Sequence, residues 1–187
     1  MRSFSLALLM TSMLVPALAV ADKPAGWFLA GSDASYTMER DVSVTHVGRA
    51  SGRLASIGQP KGFGTMMQSF DPGEYRGKRL KFSAFAKAGG VSRWAGLWMR
   101  VDGPEQGRSL AFDNMQARPI KGTKDWTRYD VVLDVADNAT AIAFGILLDG
   151  PGTVWLDDAT FDIVDNSVPT TGGQLKSTRP ENLNFEH

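Results

Sequence analysis

Short segments of alternating apolar and polar residues run through most of this chain, and Gly- and Pro-containing turns separate them. The alternation is clearest in residues 79–87, where Leu80, Phe82, Ala84 and Ala86 share one side. Successive side chains of a β-strand point to opposite faces, so a period of two predicts strands with one buried face. Long patterns with the helical period of 3.6 residues are absent, so we expect an all-β protein.

The alternating pattern recurs in other segments, separated by turn sequences such as Gly89-Gly90. Strands with one apolar face bury it most simply against a second sheet, so the pattern predicts a two-sheet antiparallel jelly-roll sandwich. A closed up-and-down barrel is the alternative. The other predicted strands lie in residues 35–47, 53–57, 63–70, 94–102, 109–115, 126–135, 141–149 and 153–164.

Residues 1–21 have the pattern of a secretory signal peptide. Arg2 supplies a positive charge, residues 4–15 are apolar, and Ala19 and Ala21 each complete an Ala-x-Ala cleavage pattern. A membrane anchor is the alternative, but it needs about 20 apolar residues, and Pro16 shortens this run. We therefore expect a secreted or periplasmic protein.

Composition limits the partners and the chemistry. Twenty Lys and Arg residues balance twenty Asp and Glu residues, so a broad basic surface for nucleic acid or an anionic membrane is not expected. The chain has no cysteine, which excludes thiol catalysis and disulfides. Residues 22–164 are predicted to form one sandwich domain. Residues 165–187 are predicted to form a flexible polar tail, in which 182–186 regain alternation and could dock as an edge strand.

Catalytic motifs are scarce in this chain. The two histidines are His46 and His187, and His46 lies in an alternating run that predicts a surface strand position. A pair of carboxylates could hydrolyse a glycoside, but the sequence does not place two of them across a cleft. We therefore predict a non-catalytic protein, with a glycosidase-like enzyme as the less favoured alternative. The carboxylates in question are Asp102, Glu105, Asp113, Asp157 and Asp158.

Residues 94–102 carry the strongest indication of a binding site. One side of this predicted strand is apolar, and the other carries Trp94, Trp98, Arg100 and Asp102. Aromatic rings stack on the C–H faces of sugars, while Arg and Asp form directed hydrogen bonds with hydroxyl groups. Gly96, between the two tryptophans, is expected to leave room for a ligand.

The next strand is predicted to complete this platform. Asp113 is expected on its ligand side, within reach of Arg100, and Asn114 is expected to add hydrogen bonds. The alternative is purely structural, with Arg100 and Asp113 as an ion pair and the tryptophans packed under the loop of residues 103–108. Trp27 and Trp126 are assigned to packing.

Three segments carry a family resemblance. Residues 153–161 (TVWLDDATF), 75–84 (YRGKRLKFSA) and 125–129 (DWTRY) resemble strands of galactose-binding-like β-sandwiches, which include many carbohydrate-binding modules. The resemblance covers residues 26–164. It implies a ligand site on the concave sheet face. In the resembling modules an Asp at the place of Asp157 and Asp158 often helps to hold a structural calcium ion, the one cofactor considered. The favoured alternative is that backbone amides satisfy this Asp, because the usual N-terminal acidic partner is missing unless Asp33 or Glu186 replaces it.

Two details accompany the resemblance. The apolar register changes across Asp157 and Asp158, which predicts a β-bulge there. Such sandwiches often begin with an Asn-x-x-Phe-Glu-like strand, which is missing before Gly26-Trp27, whereas Asn182-Leu183-Asn184-Phe185-Glu186 lies near the other end. The tail segment is therefore a candidate for the missing strand.

These observations favour a secreted, non-catalytic binding domain for a carbohydrate or a similar small extracytoplasmic ligand. A secreted interaction protein that binds a partner protein or a host surface is the alternative.

Export makes a direct prediction. Expressed with its first 21 residues, the chain should be cleaved after Ala19 or Ala21, since both positions satisfy the small-residue rule. Intact mass spectrometry of the extracytoplasmic protein measures this. An uncleaved chain confined to the cytoplasm would contradict it.

Overall fold

The computed structural model describes residues 22–172. The predicted signal peptide and the predicted edge strand at 182–186 lie outside these residues. Within them, no helix has the length and apolar character needed to cross a membrane.

Nine β-strands and a single 3-10 turn, Gly73–Tyr75, make up the regular structure of the described residues, and no α-helix occurs in this part of the chain. The fold is therefore all-β, as the alternation predicted. The strands are β1 (Phe28–Gly31), β2 (Tyr36–Asp41), β3 (Ser51–Ser56), β4 (Phe63–Phe70), β5 (Arg79–Asp102), β6 (Ser109–Asp113), β7 (Ile120–Asp134), β8 (Ala141–Asp149) and β9 (Thr153–Val164).

Two antiparallel sheets share the long strand β5. The first half of β5 pairs with β7 and β9, and the first sheet has the order β2-β3-β9-β5-β7. The second half pairs with β8 and β6, and the second sheet has the order β1-β4-β8-β5-β6. This arrangement confirms the two-sheet antiparallel sandwich of the jelly-roll type.

The turn predicted at Gly89-Gly90 is wrong, because the 24-residue strand β5 runs through these residues without reversing. The pairing of β5 with β7 shifts register three times between Ala86 and Ala95, and Gly90 has a φ of 60°. Such irregularities bend a strand and increase its twist. They let β5 pass from one sheet to the other instead of reversing.

The core lies between the two sheets and agrees with the predicted inner faces. Leu80 and Phe82 in the first half of β5 and Leu97 in the second are completely buried. Aromatic rings fill the centre, where Phe144 packs edge-on against Phe82 and Phe161 with centroids 5.1 and 4.8 Å away. Edge-to-face contacts of this kind stabilise aromatic pairs beyond their buried area.

The β-bulge predicted in β9 is confirmed. Ser83 pairs with Thr160, but Phe85 pairs with Asp157, so β9 holds an extra residue between these pairs. Asp158 takes a positive φ of 52° in the bulge, a conformation that Asp tolerates better than most residues.

The predicted strand at 35–47 ends early, at Asp41. The Asp41 carboxylate accepts hydrogen bonds from the backbone N–H groups of Ser43 and Val44 at 2.8 and 3.1 Å, and from the Trp155 indole at 2.8 Å. A side chain that satisfies nearby backbone donors competes with strand pairing. His46 consequently lies in a loop and not in a strand, contrary to the sequence prediction.

Residues 165–172, the described part of the predicted tail, contact the first sheet. The Arg79 guanidinium donates hydrogen bonds to the backbone oxygens of Asn166 and Val168 at 3.0 and 2.7 Å. Thr171 N–H donates to the Val132 oxygen at 2.9 Å. The chain therefore leaves the described region from a fixed position beside β7.

Asp41 predicts an acid-dependent loss of stability. Burial raises the pKa of Asp41, but hydrogen bonds from Ser43, Trp155 and Val44 outweigh burial and lower the pKa to about 2. This stabilisation is present above the unfolded pKa near 4 and is lost as the pH falls towards 2. Asp41→Asn should flatten the pH dependence of the unfolding free energy over this range by on the order of 1 kcal/mol.

Urea unfolding followed by tryptophan fluorescence measures this difference. Asp158→Asn, at an exposed carboxylate in the β9 bulge, is the control. The same pH slope in Asp41→Asn and in the unmodified chain would contradict the assignment.

Candidate functional site

The outer face of the second sheet carries a groove that crosses four strands and ends at β6. Its volume is about 270 Å³. Cross-strand register explains its composition, because directly opposed residues share a face. Trp98 opposes Gly145, and Arg100 opposes both Ala143 and Phe112. The side chains that line it most closely are Phe63, Thr65, Met67, Trp98, Arg100, Phe112 and Leu147.

Trp98 forms the floor of this groove and is almost fully buried, with 6% of its surface exposed. Its indole N–H donates a 2.7 Å hydrogen bond to the Thr65 hydroxyl, which in turn donates to the backbone oxygen of Ile146 at 2.9 Å. A buried polar chain with every donor satisfied fixes side-chain orientation. Trp98 is therefore a rigid base, with little of its ring available for stacking.

The aromatic rings with more exposure lie on the edge strands of the same sheet face. Phe112 of β6 is 37% exposed and opposes Arg100. Phe28 of β1 is 44% exposed and opposes Met67. Sequence reasoning missed both residues, because neither lies in the Trp-rich strand and the alternation alone did not tell which side of β6 faces outward.

Arg100 and Asp102 project from β5 as a bidentate ion pair, with distances of 2.8 Å from Nε and 2.9 Å from Nη2 to the two carboxylate oxygens. Arg100 also lines a second, polar recess of about 400 Å³ beneath the loop of residues 103–108. This polar recess includes Glu105, Arg108 and Thr140. An apolar groove and a polar recess thus meet at one guanidinium group.

The cations around this face have carboxylate partners. Arg93 pairs with Asp149 at 2.8 Å, and Arg108 pairs with Glu105 at 3.1 Å. With Arg100 paired to Asp102 as well, the site presents hydrogen-bonding groups without a strong net charge. Such a surface suits a neutral polar ligand better than an ionic one.

Asp113 does not reach Arg100, so this prediction is wrong. It opposes Met99, and its side chain is buried on the opposite side of the strand from Phe112. A one-residue change in register moves every side chain of a strand to the other face. Asp113 binds Arg118 at 2.5 Å and the Met115 N–H at 2.9 Å. Burial raises the pKa of Asp113, but hydrogen bonds led by Arg118 outweigh it and hold the pKa below its usual value.

The remaining predicted residues lie at the border of the groove. Asn114 accepts a hydrogen bond from the Gln116 N–H at 3.1 Å and shapes the loop after β6. Trp94 is partly buried and packs beside Trp98. Gly96 does not leave space for a ligand, because a Cβ atom there would lie 2.7 Å from the Asn114 oxygen and 2.8 Å from the Met115 Cβ. The passing loop occupies that space.

The predicted calcium site does not fit the observed donors. One Asp157 oxygen accepts hydrogen bonds from the N–H groups of His46 and Val47 at 2.9 and 3.2 Å, and the other accepts from Asp158 N–H at 2.8 Å. Calcium requires six to eight oxygen ligands. No group of three acidic or histidine side chains within residues 22–172 could hold a metal ion. Asp157 instead anchors the loop of residues 42–50.

His46 packs against an aromatic ring. Its imidazole stacks on Phe85 with centroids 3.7 Å apart, and Trp126 lies 5.6 Å away. Its Nδ1 atom is buried and has no hydrogen-bond partner among the described residues. A general base in a triad needs an orienting hydrogen bond to its second nitrogen, and this contact is missing in the described part of the chain.

Comparison with known proteins gives one curated relative and many solved structures. No family model matches the chain. The relative is an uncharacterized HTH-type transcriptional regulator, YbfP of Bacillus subtilis (strain 168), which is 46% identical over 173 residues. The match covers 88% of this chain and 57% of the relative. The chain therefore spans little more than half the length of this relative.

The solved structures share the fold at low sequence identity. The CBM22-1 xylan-binding domain from Paenibacillus barcinonensis Xyn10C has a TM-score of 0.56 at 13% identity, covering 77% of this chain and 89% of that one. TmCBM61, solved with β-1,4-galactotriose, has a TM-score of 0.51 at 9% identity, covering 76% and 91%. This chain has the galactose-binding-like β-sandwich fold of carbohydrate-binding modules.

An enzyme domain shares the fold as well. The enzymatically active domain of tailspike protein 4 from bacteriophage CBA120 has a TM-score of 0.58 at 14% identity, covering 75% of this chain and 20% of that one. The sandwich thus occurs both as a small module and within a larger chain, so function has to be argued from the site.

The Trp98–Thr65 contact predicts a measurable coupling. Thr65→Val leaves the indole N–H without its acceptor and should cost about 1–3 kcal/mol of unfolding free energy. Trp98→Phe removes that donor, so the double variant should be clearly less destabilised than the sum of the two single variants. Urea denaturation of all four proteins gives the coupling energy, with Thr37→Val, at an exposed threonine of β2, as the control. Strict additivity would contradict the contact.

Proposed function

We propose that this chain is an exported, non-catalytic domain that binds a neutral carbohydrate in the groove on the outer face of the second sheet. The observation that supports this most strongly is the meeting of an apolar groove and a polar recess at Arg100. A sugar ring has one apolar C–H face and a rim of hydroxyl groups, and this surface offers a counterpart to each.

The apolar half would take the C–H face of the ligand. Phe63, Met67 and Phe112 line it, and buried Trp98 keeps its floor flat and rigid. Aromatic and aliphatic walls of this kind gain dispersion energy from a ring laid against them. Because the floor is packed in advance, binding would order few side chains, which limits the entropic cost.

The polar half would take the hydroxyl groups. Arg100 and Asp102 already bind each other through two contacts, so both are oriented before a ligand arrives. The guanidinium retains donors beyond those two contacts, and the carboxylate retains acceptor positions. A sugar hydroxyl both donates and accepts, so it matches a donor and an acceptor presented side by side.

The fold neighbours give independent but limited support. Two of them are described as a xylan-binding domain and as a module solved with β-1,4-galactotriose. At these identities the likeness supports the scaffold, and the choice of a carbohydrate ligand for this chain rests on the groove. A recessed groove also favours a small ligand or a glycan chain over a flat protein partner.

The absence of catalysis is part of the proposal. Asp102 is held by Arg100, Asp113 by Arg118, and Asp157 by backbone amides. A general acid needs a carboxyl group whose pKa is raised towards neutrality. For Asp113, hydrogen bonds led by Arg118 instead hold the pKa below its usual value.

The regulator relative favours a second candidate function, a sensor domain for a small effector. Its match covers 88% of this chain and so includes most of the sandwich, which has no α-helix in the described residues and hence no helix-turn-helix there. In such a protein the sandwich would bind a signal molecule in the same groove. Cellular location separates the two candidates, because the signal-peptide pattern of residues 1–21 predicts export, whereas transcriptional regulation takes place in the cytoplasm.

A glycan array tests the proposal, with two arginine variants that are closely matched. Arg100 and Arg128 each project from a strand, are about half exposed, and pair with an aspartate two residues later. Only Arg100 lines the groove. Arg100→Ala should weaken glycan binding at least tenfold, or about 1.4 kcal/mol, while Arg128→Ala should bind as the unmodified protein does.

Phe112→Ala should weaken binding similarly, because it removes an exposed ring from the apolar half. Equal binding by the Arg100 and Arg128 variants would place the ligand elsewhere. Failure of the unmodified protein to bind any glycan, together with binding of a small metabolite that is not a carbohydrate, would favour the sensor function instead.

A further inference from the structure

The second half of β9 is an open sheet edge. Residues 153–156 pair with β3 on one side, but from Asp158 onward β9 pairs only with β5 among the described residues. The loop that precedes β3 contacts β9 at Asp157, through the N–H groups of His46 and Val47. An open edge leaves a row of backbone N–H and C=O groups without partners and is a template for another strand.

The core is also uncovered beside this edge. Ile163 opposes Leu80, and Phe161 opposes Phe82, so both β9 residues face the core side of the sheet. Leu80 and Phe82 are completely buried, whereas Ile163 is 50% exposed. A residue on the inner face of a sandwich becomes solvent-exposed only where no strand covers it, so a covering element is missing from the described chain at this corner.

A cleft of about 330 Å³ continues the uncovered region towards β3 and β4. Its apolar lining residues include Trp27, Met66, Leu156 and Ala159, together with Pro24 and Ala25 of the N-terminal segment. Arg40 lines the cleft too and forms no ion pair with any described residue. The open edge thus combines unpaired backbone, apolar inner surface and an available positive charge.

We propose that residues 182–186 of the same chain dock on this edge as a tenth strand of the sandwich. Leu183 and Phe185 would lie on the same face of this strand, where they would cover Phe161 and Ile163 on the core side of the sheet. Asn182, Asn184 and Glu186 would lie on the other face, towards solvent. The acidic end of the segment complements Arg40. This inference does not depend on the proposed function.

The geometry of the connection allows an intramolecular contact. The described chain ends at Gly172, packed against Leu133 and the β6 backbone. Leu133 opposes Leu80, which opposes Ile163, so the open edge lies two strands away, or about 10 Å. The residues from Gly172 to Asn182 span roughly 33 Å when extended, which is ample for crossing this end of the sandwich.

Two double variants of the full chain test the proposal with opposite expectations. Leu183→Ser with Phe185→Ser removes the apolar face, and should lower the melting temperature by about 5 °C. It should also raise amide hydrogen exchange at residues 159–163 and 182–186 at least tenfold. The double variant Asn182→Ser with Asn184→Ser replaces residues on the solvent-facing side of the same segment and should leave both measurements unchanged.

Ile163→Ser provides the test from the receiving side. It should lower the melting temperature of the unmodified chain, but add little in the Leu183→Ser, Phe185→Ser background, because the partner surface is already lost. Additive effects, or unprotected amides at 182–186 in the unmodified chain, would overturn the proposal. Light scattering tests whether the segment docks on a second copy of the chain instead. A dimer in the unmodified protein that dissociates in the Leu183→Ser, Phe185→Ser variant would show such intermolecular docking and overturn the proposal of docking within one chain.

Discussion

The side of β5 that faces the core changes along the strand, and both sheets and the groove are arranged around this change. In its first half the core-facing side chains are even-numbered, as at Leu80 and Phe82, and in its second half they are odd-numbered, as at Leu97 and Met99. The irregular stretch around Gly90 absorbs the difference. With strict alternation through this stretch, Trp98 and Arg100 would face the core and Leu97 would face solvent. The groove therefore exists because β5 is irregular where it leaves the first sheet.

Local alternation predicted much of the fold because a strand's two faces are set by its own residues. The inner faces of β5, β7 and β8, and the bulge in β9, followed from this pattern. The turn at Gly89-Gly90 was wrong because two glycines permit a bulge as readily as a reversal. The strand through His46 was wrong because Asp41 satisfies backbone donors that strand pairing would have used.

The candidate site was predicted only in part, because it depends on which strands are neighbours and in which register. The Trp98 and Arg100 side of β5 was assigned to the outer face from its own composition, and that is where it lies. The side of the sheet on which Asp113 lies follows from the pairing of Arg100 with Phe112. This pairing joins distant parts of the sequence, so the alternation within β6 could not predict it. For the same reason the sequence did not predict that Phe28 and Phe112 are exposed on this face, or that a loop fills the space beside Gly96.

Packing and binding are closely connected in this molecule. Trp98 supports the groove from below through Thr65, and Asp113 holds the loop behind the edge strand that presents Phe112. Residues predicted to touch the ligand thus divide into those that line the groove and those that position its walls.

An NMR titration tests whether a ligand binds on the outer face of the second sheet. The isotope-labelled protein would be titrated with an oligosaccharide corresponding to the best array ligand. We expect chemical shift changes confined to the Trp98 indole and to the backbone amides of residues 63–67, 98–102 and 110–113. Shifts centred on Trp126 and Trp155, on the outer face of the first sheet, would contradict it.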